Sequence, residues 1–180
     1  MKSIYLSIDL DYWQHDKFPH KLINRLLATK VPIIATEEHH LILDHVNKHR
    51  STDLVSIDYH SDLAEEPCKI LDCGTWANFV KWQKKATFYW VHPHAEGELE
   101  SGYCHGTLTK NPFIGKFTNW RQAIKIRGPL EVEMERVVAG AIVLSPDYGT
   151  EKFLSQWTKL VARPEIEYQP APNPPQLYGL

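Results

Sequence analysis

The sequence predicts an α/β fold, a mostly parallel sheet flanked by helices in layers. Three observations predict it. Short apolar runs of strand length recur along the chain, and segments with apolar residues at helical spacing alternate with them. Carboxylates and histidines gather where the apolar runs end, the edge at which open parallel sheets place their ligands.

The elements follow in order. KSIYLSIDL (2–10) reads as a first strand. PHKLINRLLATK (19–30) carries Leu22, Ile23, Leu26 and Leu27 on one helical face. VPIIAT (31–36) is a second strand, and HHLILDHVNKHR (39–50) a second helix. DLVSIDYH (53–60) is a third strand, GTWANFVKWQKK (74–85) a helix and ATFYWVH (86–92) a fourth strand. AGAIVLSP (139–146) is a late strand. TEKFLSQWTKLVA (150–162) is a last helix with Phe153, Trp157 and Leu160 or Val161 on one face. Residues 92–121, with four glycines at 97, 102, 106 and 115, read as a long loop region that could hold a hairpin.

With 180 residues, 43% of them hydrophobic, the chain suits one domain with a substantial core, residues 1–163. The proline-rich end, 164–180, reads as an extended arm packed on the body or as a disordered tail. A formal net charge of −2 implies no strong pull toward nucleic acid or an anionic membrane. No apolar run approaches the ~20 residues of a membrane span. An early apolar run broken by Asp9 does not fit a signal peptide. Cys68, Cys73 and Cys104 form no C-x-x-C pair, and the expectation is reduced thiols in a cytoplasmic protein.

The first strand ends in Asp9-x-Asp11, the second in Glu37-Glu38-His39-His40, the third in Asp58-x-His60-x-Asp62. Residues two apart point the same way while a chain stays extended, so each set is expected to converge, and the three strand ends to be neighbours. Clustered carboxylates repel and resist ionisation. Two divalent cations would balance Asp9, Asp11, Asp58 and Asp62, and oxygen donors with imidazole suit Mn²⁺ better than a thiolate-type zinc site. Such a pair would also lower the pKa of a shared water toward neutrality. Taken singly, each motif has an ordinary explanation. Asp9 and Asp11 alone read as a turn or helix cap, Glu37 to His40 as an acidic helix start, and the third motif as a solvated strand end. Their recurrence at the same end of successive strands favours a metal site.

These motifs resemble the ureohydrolase superfamily of arginases and agmatinases, in which a D-x-H-x-D motif, an S-x-D-x-D motif and a separate histidine bind two Mn²⁺ ions. IDYHSD (57–62) looks like the first motif, SIDLD (7–11) like the second, and EHHL (38–41) is similar to the family's D-H-S segment. IVLSPDYG (142–149) looks like a late family strand ending in a Ser-Pro turn. The resemblance implies a three-layer arginase-like fold with two Mn²⁺ per chain. Asp9 and Asp58 would bridge the ions, His39 rather than His40 and Asp62 would complete one, and His60 and Asp11 the other. In ordinary arginases the D-x-D motif follows D-x-H-x-D, and the chains are longer. Both departures are more like the small family that includes the peptide arginases, which convert arginine side chains in ribosomally made precursor peptides to ornithine and release urea. The resemblance therefore implies an arginine-containing peptide substrate.

Two parts of the ordinary arginase pattern are missing. Val143 stands where a carboxylate would hold guanidinium, and Glu37 or Glu38 could supply that charge. The proton-shuttling histidine is also absent, with Trp76 near its place, and His92, His94 or His105 could take the role. Trp76, Trp82, Trp90 and Tyr103 could line a groove, although such residues are more often core. Two competing functions remain from the sequence. A deacetylase-like amidohydrolase would need one zinc, and a non-catalytic metal-stabilised binding module would release no urea. The sequence leaves the oligomeric state open.

Overall fold

The structure is a computed structural model that describes residues 2–63, 69–93, 119–127, 131–148 and 150–172. Seven strands form one sheet: β1 Ile4–Asp9, β2 Ile33–Thr36, β3 Asp53–Ile57, β4 Thr87–His92, β5 Gln122–Arg127, β6 Val137–Val143 and β7 Ile166–Gln169. Their spatial order is β5-β4-β3-β1-β6-β2-β7, and every pairing is parallel. The α/β expectation holds. Among the described residues three α-helices accompany the sheet, α1 His20–Ala28, α2 Leu43–Lys48 and α3 Leu154–Val161.

Alternation along the strands builds two cores, one on each face. Ile4, Leu6 and Ile8 of β1 pack with Ile23, Leu26 and Leu27 of α1 and with Trp157 and Leu160 of α3. Tyr5, between them, joins Ile42, Val46, Trp76, Trp82 and Trp90 on the other face. The chain leaves β1 toward β2 on one side and returns past it to β3 on the other. Right-handed crossovers running in opposite directions must lie on opposite faces, which is where α1 and α2 are found. Leu26 is fully buried, and burying such a side chain contributes roughly 1.5–3 kcal/mol. Gly140 in β6 lets α1 come this close: a Cβ there would stand 3.0 Å from Leu26 Cδ2 and 3.2 Å from the Leu6 carbonyl oxygen. Helix α1 stops where Lys30 turns to φ 59°, two residues before Pro32.

Several expectations change. The helix predicted over 74–85 is two short 3₁₀ turns, Trp76–Phe79 and Gln83–Lys85, with Val80 extended between them. Tertiary partners hold the segment through one backbone and one side-chain donor. The Lys81 N–H donates to Asn47 Oδ1 at 2.7 Å, and the Trp82 indole donates to the Val46 carbonyl at 2.9 Å. The helices predicted over 39–50 and 150–162 each begin with a 3₁₀ turn, His39–Ile42 and Glu151–Phe153. Strand β5 has no counterpart in the sequence reading, because Lys125, only 2% exposed, interrupts its apolar alternation. The start of the C-terminal arm is an edge strand, β7, paired with β2. The hairpin considered for 92–121 falls mostly outside the described residues. Among the described residues no helix is long and apolar enough to cross a membrane.

Candidate metal centre

The carboxyl ends of β1, β3, β6 and β2 form the floor of the site. They are not three neighbouring strand ends, because β6 lies between β1 and β2. This insertion brings Ser145, just beyond β6, against Asp9. The Ser145 hydroxyl donates to Asp9 Oδ2 at 2.6 Å, from a residue held at φ 51°. A non-glycine residue in the left-handed region is strained, and such strain collects at functional sites.

Asp9 does two things. Its Oδ1 accepts the Asp11 N–H at 3.1 Å, capping the 3₁₀ turn Leu10–Trp13, so the capping explanation is correct for that oxygen. Its Oδ2 lies 3.1 Å from His39 Nδ1. The turn places Asp11 over β3, where Oδ1 accepts the Tyr59 N–H at 3.1 Å and Oδ2 meets His60 Nδ1 at 2.9 Å.

The D-x-H-x-D residues converge by a route other than strand alternation. Strand β3 ends at Ile57, and the chain then turns. Asp58 Oδ1 accepts the His60 N–H at 2.8 Å, and Asp62 sits at φ 50°. Aspartate tolerates that conformation better than most residues. Asp62 Oδ2 accepts the Trp76 indole N–H at 2.6 Å.

His39 opens the 3₁₀ turn after β2, with its ring 4.7 Å from that of Trp76. Its Nε2 and the Ser7 hydroxyl are 2.7 Å apart. Its Nδ1 faces three carboxylates, at 2.7 Å from Asp62 Oδ2, 3.0 Å from Asp58 Oδ2 and 3.1 Å from Asp9 Oδ2. Close as they are, His39 Nδ1 and Asp58 Oδ2 are both buried without a hydrogen bond of ordinary geometry. His40 turns aside, with Nδ1 3.3 Å from Glu38 Oε2. The geometry thus selects His39 over His40 as the imidazole facing the carboxylates.

Burial and charge act together here. Asp9, Asp11, His39, Asp58 and Asp62 are buried, and His60 is partly open to the cleft. Burial, reinforced by Asp62, Asp11 and Asp9, holds the Asp58 carboxyl well above the carboxylate range. Burial, with Asp9 beside it, pushes Asp11 up to about 6. Burial by itself would lower His39, but the charge of Asp62 and the close approach of Asp58 and Asp9 outweigh it and raise the imidazole well above its usual value. Burial opposes ionisation of Asp62 too, yet His39 and the Trp76 donor bring its carboxyl below the usual range. The cluster demands positive charge.

Two groups of donors could hold a cation, Asp9 with His39 and Asp58, and Asp11 with Asp58 and His60; the ligand atoms within each lie within 4.8 Å of one another. They share Asp58, and Asp62 adds its carboxylate beside His39. His39 Nδ1 and Asp58 Oδ2, 3.0 Å apart and both buried without a hydrogen bond of ordinary geometry, belong to a cavity that no lysine or arginine lines among the described residues, a donor set that could hold a metal ion. The cavity above them measures about 180 Å³ and is completed by Ser61, Leu63, Cys73, Gly74 and Ser145.

No protein-family model, curated protein or solved structure matches this chain. The other expected site residues are placed as follows. The Glu37 carboxylate is engaged by the C-terminal arm, through Tyr168 Oη at 2.7 Å and the Ala171 N–H at 3.3 Å, and Glu38 by His40. Neither lines the cavity. His92 ends β4, buried, with its ring 5.0 Å from that of Trp90, and it too lies outside the lining. His94, His105 and Tyr103 lie outside the described residues. Trp76, Trp82 and Trp90 are core, as the ordinary reading has it. Tyr12 and Trp13 wall a separate groove of about 590 Å³ with Pro19, Leu22 and Arg25.

Ser7, Ser145 and the indole donor of Trp76 went unassigned in the sequence. Ser7 opens the SIDLD motif and Ser145 begins the Ser-Pro turn, so both carried a signal. Trp76 stood out only as near the absent histidine's place and as a possible groove residue, because its contact with Asp62 depends on a turn that the sequence does not announce.

Proposed function

We propose that this chain is a binuclear manganese hydrolase that cleaves the guanidinium group of arginine side chains in a precursor peptide, giving ornithine and urea. The observation that carries the reading is the convergence of four buried aspartates on two imidazole Nδ1 atoms, with His39 surrounded by three of them. His39 and Asp62 would hold one ion, His60 and Asp11 the other, and Asp9 and Asp58 both. When bound, the ions supply a water of lowered pKa and positive charge to offset what develops on oxygen in the transition state.

The chain's own residues do the rest. Ser145 holds one oxygen of Asp9, the Tyr59 N–H one oxygen of Asp11, and the Trp76 indole one of Asp62, so each carboxylate is oriented before an ion arrives. The leaving amine needs a proton. His92, at the end of the strand beside β3, is the candidate for that among the described residues. The preference for a peptide over the free amino acid rests on the resemblance to the peptide arginases, and the groove at Tyr12 and Trp13, next in sequence to Asp11, is where a flanking peptide would be sought. Of the two proposed guanidinium partners, Glu37 has both oxygens engaged by the arm and Glu38 has one contact, with His40, so Glu38 is the less engaged, although neither lines the cavity.

The test is to load the protein with Mn²⁺ and supply free arginine, agmatine and an arginine-containing peptide in separate reactions. Urea and a matching loss of CH₂N₂ from the peptide are expected. No urea from any of the three would overturn the reading. Urea from free arginine alone would overturn the peptide substrate, because specificity is a difference between competing substrates. One zinc per chain with amide hydrolysis would instead establish the deacetylase-like alternative, and metal uptake with no turnover the binding module.

A further inference from the structure

We infer that Glu37 is a positioning residue through which the C-terminal arm sets the metal affinity of the centre. The inference rests on the metal-centre reading above. It starts from an unusual use of one carboxylate. Both oxygens of Glu37 are taken by the same distant segment, Oε1 by the Tyr168 hydroxyl at 2.7 Å and Oε2 by the Ala171 N–H at 3.3 Å. Pro170, between them, has no N–H to give, so these two donors grip one side chain from either side of a rigid residue.

The backbone of Glu37 faces the other way. Its carbonyl accepts the Ser145 N–H at 3.0 Å, and the Ser145 hydroxyl donates to Asp9 Oδ2. Three links therefore join the arm to Asp9, which forms one donor group with His39 and Asp58. Glu37 also stands two residues before His39, on the short connection that delivers the imidazole. Strand β7 supports this anchor, since Ala35 pairs with Tyr168 and Thr36 with Gln169 in register. Burial, then the Glu37 carboxylate, push the Tyr168 hydroxyl up to about 12, so it remains a donor throughout the physiological range.

A purely structural arm and an arm that tunes the centre differ in what its loss changes. Loss of a purely structural contact lowers the melting temperature and leaves the affinity of the folded protein alone. Loss of an outer-shell contact weakens metal binding, commonly by ~10–100-fold. The experiment titrates metal-free wild type, Tyr168→Phe, Glu37→Gln and Glu165→Gln with Mn²⁺ by calorimetry, well below each melting temperature. Glu165, which pairs with Arg163 at the surface, serves as the control from the same segment.

Tyr168→Phe and Glu37→Gln are each expected to bind Mn²⁺ about 10-fold more weakly than wild type, with Glu165→Gln unchanged. If Glu37→Gln does not fold, Tyr168→Phe decides alone, because Tyr168 is 38% exposed and lies at the surface. Binding within twofold of wild type by Tyr168→Phe would overturn the inference while leaving the metal centre standing. Failure of wild type itself to bind Mn²⁺ would overturn both.

Discussion

The indole N–H of Trp76 donates to Asp62 Oδ2 at 2.6 Å, and the same indole lies against the ring of His39. One core residue thus holds two groups of the centre at once. Trp76→Phe keeps an aromatic ring but leaves a buried carboxylate short of a donor, a loss worth about 1–3 kcal/mol. The Phe ring is also smaller, so stability alone does not isolate the bond. In a double-mutant cycle with Asp62→Asn, a coupling of roughly 0.5–3 kcal/mol in denaturant unfolding is expected. Strict additivity would show that the bond contributes nothing beyond packing.

Asp58 is shared by both candidate donor groups, and burial and three like charges disfavour its ionised form. Asp58→Asn removes that repulsion. The metal-free variant is expected to melt at or above the wild-type temperature. Mn²⁺ at 100 times its dissociation constant should stabilise wild type by ~2.7 kcal/mol, roughly 5–10 °C in melting temperature for a chain of this size. Asp58→Asn should lose that increment. A variant that gains as much from Mn²⁺ as wild type does would remove Asp58 from the ligand set.

His45 of α2 supplies a pH dependence independent of the metal centre. Its Nδ1 and the Tyr5 hydroxyl are hydrogen-bonded at 2.7 Å, and burial, helped by His49 and Lys48, lowers the imidazole from 6.5 to about 4. A depressed histidine favours the neutral form in the folded state. Its contribution is therefore present above pH 6.5 and lost as the pH falls from 6.5 toward 4, where the unfolded chain binds the proton first. The chemical denaturation midpoint should fall over that window, and His45→Asn should flatten part of the fall. Equal slopes in both proteins would show that His45 does not carry it.

A Cβ on Gly140 would be tight against Leu26 Cδ2 at 3.0 Å and the Leu6 carbonyl oxygen at 3.2 Å. Gly140→Ala is expected to cost about 1–3 kcal/mol in unfolding free energy by overpacking. Leu26→Ala alone should cost more, by opening a cavity. Together the two should cost less than their sum, since the new methyl enters space that the leucine vacates. An additive pair would mean that α1 shifts bodily instead.

Strand and helix types, and the six candidate ligands at the ends of apolar runs, were legible because they depend on local pattern. Asp9, Asp11, His39, Asp58, His60 and Asp62 all meet in the structure. The period of two in β1 likewise separates Ile4, Leu6 and Ile8 from Tyr5 and assigns them to opposite cores. The rest depends on partners far along the chain. The placement of β6 beside β1 decides that Ser145 reaches Asp9, and no local pattern encodes strand order. Segment 74–85 has helical periodicity, but Asn47, Val46 and Asp62 supply hydrogen bonds that hold it in short turns. Glu37 has the charge expected of a guanidinium ligand, yet the pairing of β7 with β2 brings Tyr168 and Ala171 to it first. Residue chemistry and local periodicity determined which groups could form the site. Tertiary structure decided which of them face one another, because contact between strands distant in sequence is settled only when the sheet assembles.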